Sequence, residues 1–202
     1  MSTLKNLESG AEDPRRARIL EGAMQVFLAY GFSRATMDDI ARAVEISRPA
    51  LYLLFRNKAD IFRAVGHDLL NRSLRDACKA LREDGAISFR LMEALDRALF
   101  QLFRAVRESP HGEELLDMRN HIAADVVAEW RESIVDSFAT AIDEEAQRRG
   151  ARLKEIGLSA RGLAEMLFDI LEGLKTRGLC GPQAEDRARE FIALIELVLK
   201  RP

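Results

Sequence analysis

Cysteine is almost missing from this chain: Cys78 and Cys180 are the only two, and each stands alone. That spacing offers no metal knuckle, redox pair or disulfide framework, and two free thiols in a reducing compartment are the plain reading. Aromatics make up only 6% of the residues, with one Trp and two Tyr. Alternating runs of Val, Ile and Tyr are scarce as well, so no sheet is expected. No stretch approaches the ~20 consecutive apolar residues that cross a bilayer. Met1 to Asp13 lack the apolar core and small-residue cleavage pattern of a secretory signal, and a cytoplasmic location is expected. There is no Gly-rich phosphate loop and no Gly-x-Ser-x-Gly elbow, and the chain has only three His. A nucleophile and its base are therefore not assembled anywhere, and neither enzyme activity nor a cofactor is expected.

What the chain does hold is Ala, Leu, Arg and Glu, with 48% hydrophobic and 32% charged residues over 202 positions. These favour helix throughout, and the length allows one large domain or two small ones of ~100 residues each. Net charge is −2, distributed unevenly. Residues 1–66 carry ten Lys/Arg against eight Asp/Glu, giving +2, and the remainder 21 against 25, giving −4. That is the sign expected of a nucleic-acid-reading end joined to an acidic body.

Helix signals punctuate the sequence. Residues 1–12 are polar and without period, a leader before Asp13 as cap and Pro14 at the first helical position. Ile19, Ala23, Val26, Phe27 and Tyr30 then recur at helical spacing until Gly31 stops the run. Thr36-Met37-Asp38-Asp39 is a capping pattern, and Met37, Ile40, Ala41 and Val44 give a short second helix its apolar face. Ser47 caps a third helix that tolerates Pro49 in its first turn and runs to about Phe55. A long helix follows Arg56-Asn57-Lys58 and reaches the region of Leu81. Beyond Gly85 come Ser88 to Glu108, a short segment from Glu113 to Asn120, a long helix from Ile122 to Gly150, and a last pair at 159–178 and 183–200. The last two are apolar around much of their circumference, which suits helices facing a partner.

The region from Thr36 to Phe55 reads as a helix-turn-helix. Ile40, Ala41, Val44, Ile46 and Leu51 supply a small core that fixes the angle, so that the first turn of the second helix reaches base edges in a major groove. The run Phe27-Leu28-Ala29-Tyr30-Gly31-Phe32, then Thr36 with Ile40-Ala41, then Ser47-Arg48-Pro49-Ala50-Leu51-Tyr52 and Phe55, then Asn57-Lys58 and Ile61-Phe62, resembles the N-terminal signature of the TetR/AcrR family of one-component transcriptional regulators. The resemblance covers about residues 15–65. It implies an all-α fold with an N-terminal three-helix DNA-binding domain at 13–66 and a helical effector-binding and dimerisation bundle at 67–202.

It also implies roles. Thr36 stands at a phosphate through the start of its helix. Arg48 meets guanine, Pro49 and Ala50 offer apolar contact as to a thymine methyl, and Tyr52 and Lys58 touch backbone phosphates. Leu53-Leu54 depart from the family, which often has polar residues there. The bland alternatives are a core-edge Tyr52 and solvated charges at Arg48 and Lys58.

In the body, Leu99, Phe103, Met118, Trp130 and Phe168 are candidates to line an apolar effector pocket, with Met92, Leu95, Ile122 and Phe138 beside them, although ordinary bundle core is the stronger reading of such stripes. His121 and Asp125 lie four apart on one helical face, downstream of His111, a spacing able to orient a ligand. No third metal ligand is evident, so no metal is expected. The expected partners are double-stranded DNA as a palindromic operator, a small-molecule effector, and a second copy of the chain docked through 159–178 and 183–200. A protein-interaction module with secondary DNA binding is the rival.

Overall fold

The computed structural model of the chain describes residues 14–177 and 181–200, and their side chains except those of 117–120. Cys180 lies outside the described residues. Among them every regular element is helical. In chain order these are α1 (Pro14–Arg34), α2 (Met37–Ala43), α3 (Arg48–Tyr52), α4 (Lys58–Leu81), α5 (Ile87–Leu95), α6 (Gln101–Arg107), α7 (Gly112–Ile122), α8 (Ala124–Arg149), α9 (Ala160–Thr176) and α10 (Pro182–Leu199). A π turn at Asp96–Phe100 joins α5 to α6, and a 3₁₀ turn at Leu153–Ile156 follows α8. No described helix is long and apolar enough to cross a membrane.

The chain forms two compact units. One holds the residues up to Asp68 together with 109–123, and the other holds Leu69–Glu108 and everything from Ala124. In the first unit the expected apolar positions face inward: Ile19, Ala23, Phe27, Ile40, Leu51 and Ile61 are buried. Removing each large side chain among these from water contributes roughly 1.5–3 kcal/mol. Phe27, Phe32 and Phe62 pack with centroids 5.2–5.8 Å apart, two of the three contacts edge-on. Gly31 bends α1 by taking φ +77°, and the carboxylate of Glu114 on α7 occupies the space a Cβ would need there. Segment 109–123 is tied to this unit by backbone as well: Ser109 Oγ donates to Leu28 O at 3.0 Å and Arg63 to Ile122 O at 3.2 Å.

In the second unit, α9 packs along α8, and α10 lies against α5 and α9. Phe138 and Phe168 meet edge-on at 5.4 Å. Trp130 is buried with its indole N–H donating to Ser73 Oγ at 3.1 Å, so its polar atom has a partner. Cys78, half-buried, is a free cysteine beside Ser137.

Two stretches differ from expectation. Ser88 to Glu108 reads as one helix, but the π turn, in which Gln101 N–H reaches back to Asp96 O, inserts a residue and rotates the face that follows. The third helix stops at Tyr52 instead of Phe55: Leu54 and Phe55 both donate to Leu51 O, closing a turn that ends with the buried Phe55 ring.

Glu145 of α8 is 1% exposed and ionic, which is the costly arrangement in this unit. Arg90 of α5 bonds it at 3.0 Å and also donates to Leu81 O at the end of α4, so one guanidinium joins three helices. Burial pushes the Glu145 carboxyl up, and hydrogen bonds from Arg149 and Arg148 outweigh that and hold it below the usual carboxylate range. A depressed folded pKa means that this stabilisation is complete above ~4.3, the unfolded value, and is lost as pH falls through the lower folded value. Glu145→Ala should therefore cost about 3 kcal/mol in urea denaturation at pH 7, because it strands the Arg90 charge. The difference from the parent should shrink on acidification below pH 4; an equal loss at pH 7 and pH 3 would contradict this.

Candidate nucleic-acid interface

The reading head is built from caps and turns. Thr36 accepts from Asp39 N–H while the Asp39 carboxylate accepts from Thr36 N–H, both at 3.1 Å, a complete capping box. The Thr36 bonds are the first cause holding the Asp39 carboxyl below its usual range, and Arg42 adds to them. α2 is capped by Val44, whose carbonyl takes Arg18 at 3.0 Å. The next residue, Glu45, sits in the left-handed region at φ +56°, uncommon for a side chain with a Cβ, and this turns the chain back. Ile46 N–H then returns to Ala41 O at 3.0 Å, closing the link between the two helices. Ser47 caps α3 by accepting from Ala50 N–H, with Pro49 in the first turn where no intrahelical bond is lost.

On this scaffold Leu51 is fully buried, while Thr36, Ser47, Arg48, Pro49 and Tyr52 are exposed and Ala50 is half-buried. The inner side of α3 is thus an anchor and the outer side is open. Leu53, just past its end, is 86% exposed, an apolar side chain with no cover in its own unit. Arg48 is not a free charge: Nη1 donates to Asp38 Oδ2 at 2.9 Å, Nη2 reaches the Tyr52 hydroxyl at 3.4 Å, and its carbon lies 5.4 Å from the Tyr52 ring centroid. Its pKa is raised, first by the bond to Tyr52 and then by the Asp38 charge. Sequence reasoning missed Asp38, which reads there only as part of a capping pattern; an acid in a first turn was the available signal.

Lys58 is employed differently from the expectation of a phosphate contact. Its ammonium donates to Phe32 O, Ser33 O and Ala35 O at 2.8, 2.9 and 3.0 Å, all three protons accounted for, and it lies over the Phe32 ring. On the amide side of the same turn, Ser33 N–H donates to Glu114 at 2.6 Å. Bonds to Ser33 are the main reason the Glu114 carboxyl is held below its usual range.

The candidate pocket residues are placed as follows. Trp130 and Phe168 are buried in the second unit; Leu99 and Phe103 there are half-buried, flanking the end of the π turn. Asp125 is exposed in that unit, and His121 is exposed in the first. The Met118 side chain lies outside the described residues. Among the described residues no group of three or more His, Cys, Asp or Glu is placed to hold a metal ion.

A buried-anchor, open-faced short helix braced across the turn Val44–Ser47 by its predecessor is the geometry of a DNA-binding helix-turn-helix. Residues 19–65 match the family described as bacterial regulatory proteins, tetR family. SrpR of Pseudomonas putida, an HTH-type transcriptional regulator, is 44% identical over 55 residues, 27% of this chain and 25% of SrpR. TtgR of the same species, also an HTH-type transcriptional regulator, is 28% identical over 185 residues, covering 85% of this chain and 83% of TtgR. AlkX of Dietzia sp., a TetR-family repressor implicated in biodegradation of n-alkanes, superposes with a TM-score of 0.58 at 21% identity, over 92% of this chain and 96% of AlkX. Residues 19–65 therefore carry a helix-turn-helix region like that of TetR-family transcriptional regulators, and the chain spans only about a quarter of SrpR.

Lys58→Met separates two roles. With the ammonium gone, three carbonyls lose their donor, and urea denaturation should show a loss of about 2 kcal/mol. A phosphate contact predicts instead unchanged stability and a salt slope of DNA binding smaller by about one.

Proposed function

We propose that the chain represses transcription by binding a palindromic operator as a homodimer, and that a small, largely apolar effector releases it. Residues 13–66 supply the DNA-binding domain, and the second unit, Leu69–Glu108 with the chain from Ala124, is the effector-binding and dimerisation domain. The observation that carries the DNA-reading part is the two-sidedness of α3: Leu51 has no exposure, and the Ser47–Tyr52 edge carries an arginine, a proline and a tyrosine outward. In this reading Thr36 and Tyr52 contact phosphates, Arg48 meets guanine, and Pro49 and Ala50 approach a thymine methyl. Lys58 holds the turn that aims them.

Dimerisation rests on the outer faces of α9 and α10. Their inner stripes, Leu163, Leu167 and Phe168 on one and Ala188, Ile192 and Ile195 on the other, are buried. Met166, Leu194 and Leu197 nevertheless remain about half exposed, a second apolar face on helices that have already packed once. A second copy related by a two-fold axis covers such a face and sets two reading heads about one helical turn of DNA apart, ~34–36 Å. Repression agrees with AlkX, itself a repressor. The effector site is placed in the second unit near Leu99 and Phe103, beside the π turn, because π turns are frequent at functional sites and an apolar lining suits a small organic molecule. Asp125, Trp130 and Phe168 of the same unit complete the candidate set.

Selection of bound fragments from randomised duplexes tests the reading: a palindrome should be recovered, and recovery of no preferred sequence would sink it. Arg48→Ala should lower affinity for that palindrome about ten- to a hundredfold and leave random duplex nearly untouched. An equal loss on both would move Arg48 to a phosphate. Leu194→Lys together with Leu197→Lys should shift the sedimenting species from dimer to monomer without unfolding it; a dimer that survives places the interface elsewhere.

A further inference from the structure

Asp38 is an acid on the outward first turn of α2, paired with an arginine of the reading helix. On any DNA sequence a carboxylate so placed opposes the phosphates, and it contributes nothing to affinity through charge. What it does is hold the Arg48 guanidinium. The plane is gripped at Nη1 by Asp38, reaches the Tyr52 hydroxyl at Nη2, and lies by the Tyr52 ring, so two corners of the fork are fixed while its remaining N–H donors stay available. Asp38 is itself well placed: the Thr36–Asp39 capping box fixes the turn that carries it, and Tyr52 stands one helical turn beyond Arg48 on α3.

We propose that Asp38 is a positioning residue for sequence readout, pre-orienting the Arg48 fork for a two-bond contact to one base at the expense of binding strength on DNA in general. This rests on the reading that Arg48 meets a base. A long, flexible arginine free in water satisfies many acceptors, phosphates included, and discriminates poorly. An arginine already anchored by a carboxylate offers its free donors in one direction, and a base that does not match them is refused. The carboxylate also makes it costly for Arg48 to swing to a phosphate, because that move abandons Asp38 beside the backbone negative charge.

The two effects have opposite signs, and a role limited to folding moves neither. The full-length parent, Asp38→Asn, Asp38→Glu, Arg48→Ala and the double variant Asp38→Asn/Arg48→Ala are titrated by fluorescence anisotropy at fixed salt. Three duplexes are used: the selected palindrome, the same duplex changed at the base pair to which Arg48→Ala is sensitive, and a random duplex. Asp38→Asn should bind random duplex as tightly as the parent or more tightly, yet lose about fivefold in preference for the palindrome over its single-pair variant, with an unchanged melting temperature. Asp38→Glu, which keeps the charge, should recover part of that preference. In the Arg48→Ala background, Asp38→Asn should have no further effect on it. If Arg48→Ala erases the preference and Asp38→Asn leaves it intact or sharpens it, the proposal falls and the base contact stands. If Arg48→Ala weakens all three duplexes alike, the base contact falls and the proposal with it.

Discussion

The ammonium of Lys58, seated on the carbonyls of Phe32, Ser33 and Ala35, sets the turn on which the whole reading head depends. Gly31 breaks the helical path with a positive φ, leaving the carbonyls beyond it without intrahelical partners. Lys58 supplies donors to that side of the turn and Glu114 an acceptor to the other, at Ser33 N–H. Phe27, Phe32 and Phe62 pack beneath. Everything downstream inherits this geometry: Thr36 begins its capping box one residue after the turn closes, and α2 leaves in a fixed direction. A five-residue helix such as α3 has no stability of its own, because nucleating a helix costs more than one turn of hydrogen bonds returns. Its direction is therefore a property of its supports.

The same dependence explains which parts were legible in the sequence. Features written in local residue chemistry could be read directly: the Thr36 capping box, Ser47 as a cap, Pro14 and Pro49 in first turns, and the apolar periodicity from Ile19 to Val65. The partner of a charged side chain is not written locally. Lys58 reads as a basic residue near DNA, and the three carbonyls that occupy it belong to a turn more than twenty residues earlier. Asp38 was hidden for the same reason, since its arginine lies ten residues on and across a turn. The π turn at Asp96–Phe100 escapes periodicity because one inserted residue looks like a slight broadening of an apolar stripe. Segment 109–123 looks like a stretch of the body, and only the bonds of Ser109, Glu114 and Arg63 reveal that it folds with the first unit.

The pocket candidates were the least legible, and the reason is physical. An apolar side chain that lines a cavity and one that fills a core obey the same periodicity. Trp130 and Phe168 illustrate this, buried against Ser73 and Phe138 in contacts that a bundle interior needs in any case. Polar residues were the better clue in principle, yet His121 and Asp125 are both exposed.

Energy is distributed differently in the two units. In the second, apolar stripes on α8, α9 and α10 carry the packing, and the deeply buried Glu145 is matched by three arginines. In the first, much of the specification is polar and near the surface: a capping box, an ammonium on three carbonyls, a carboxylate on an amide. Such contacts contribute little stability each but are directional, and direction is what base recognition consumes. A reading head held mainly by oil would be as stable and less exact, because apolar contacts tolerate sliding by fractions of an ångström that hydrogen bonds to a base edge do not. The polar character of this small unit is therefore better explained by aiming than by stability.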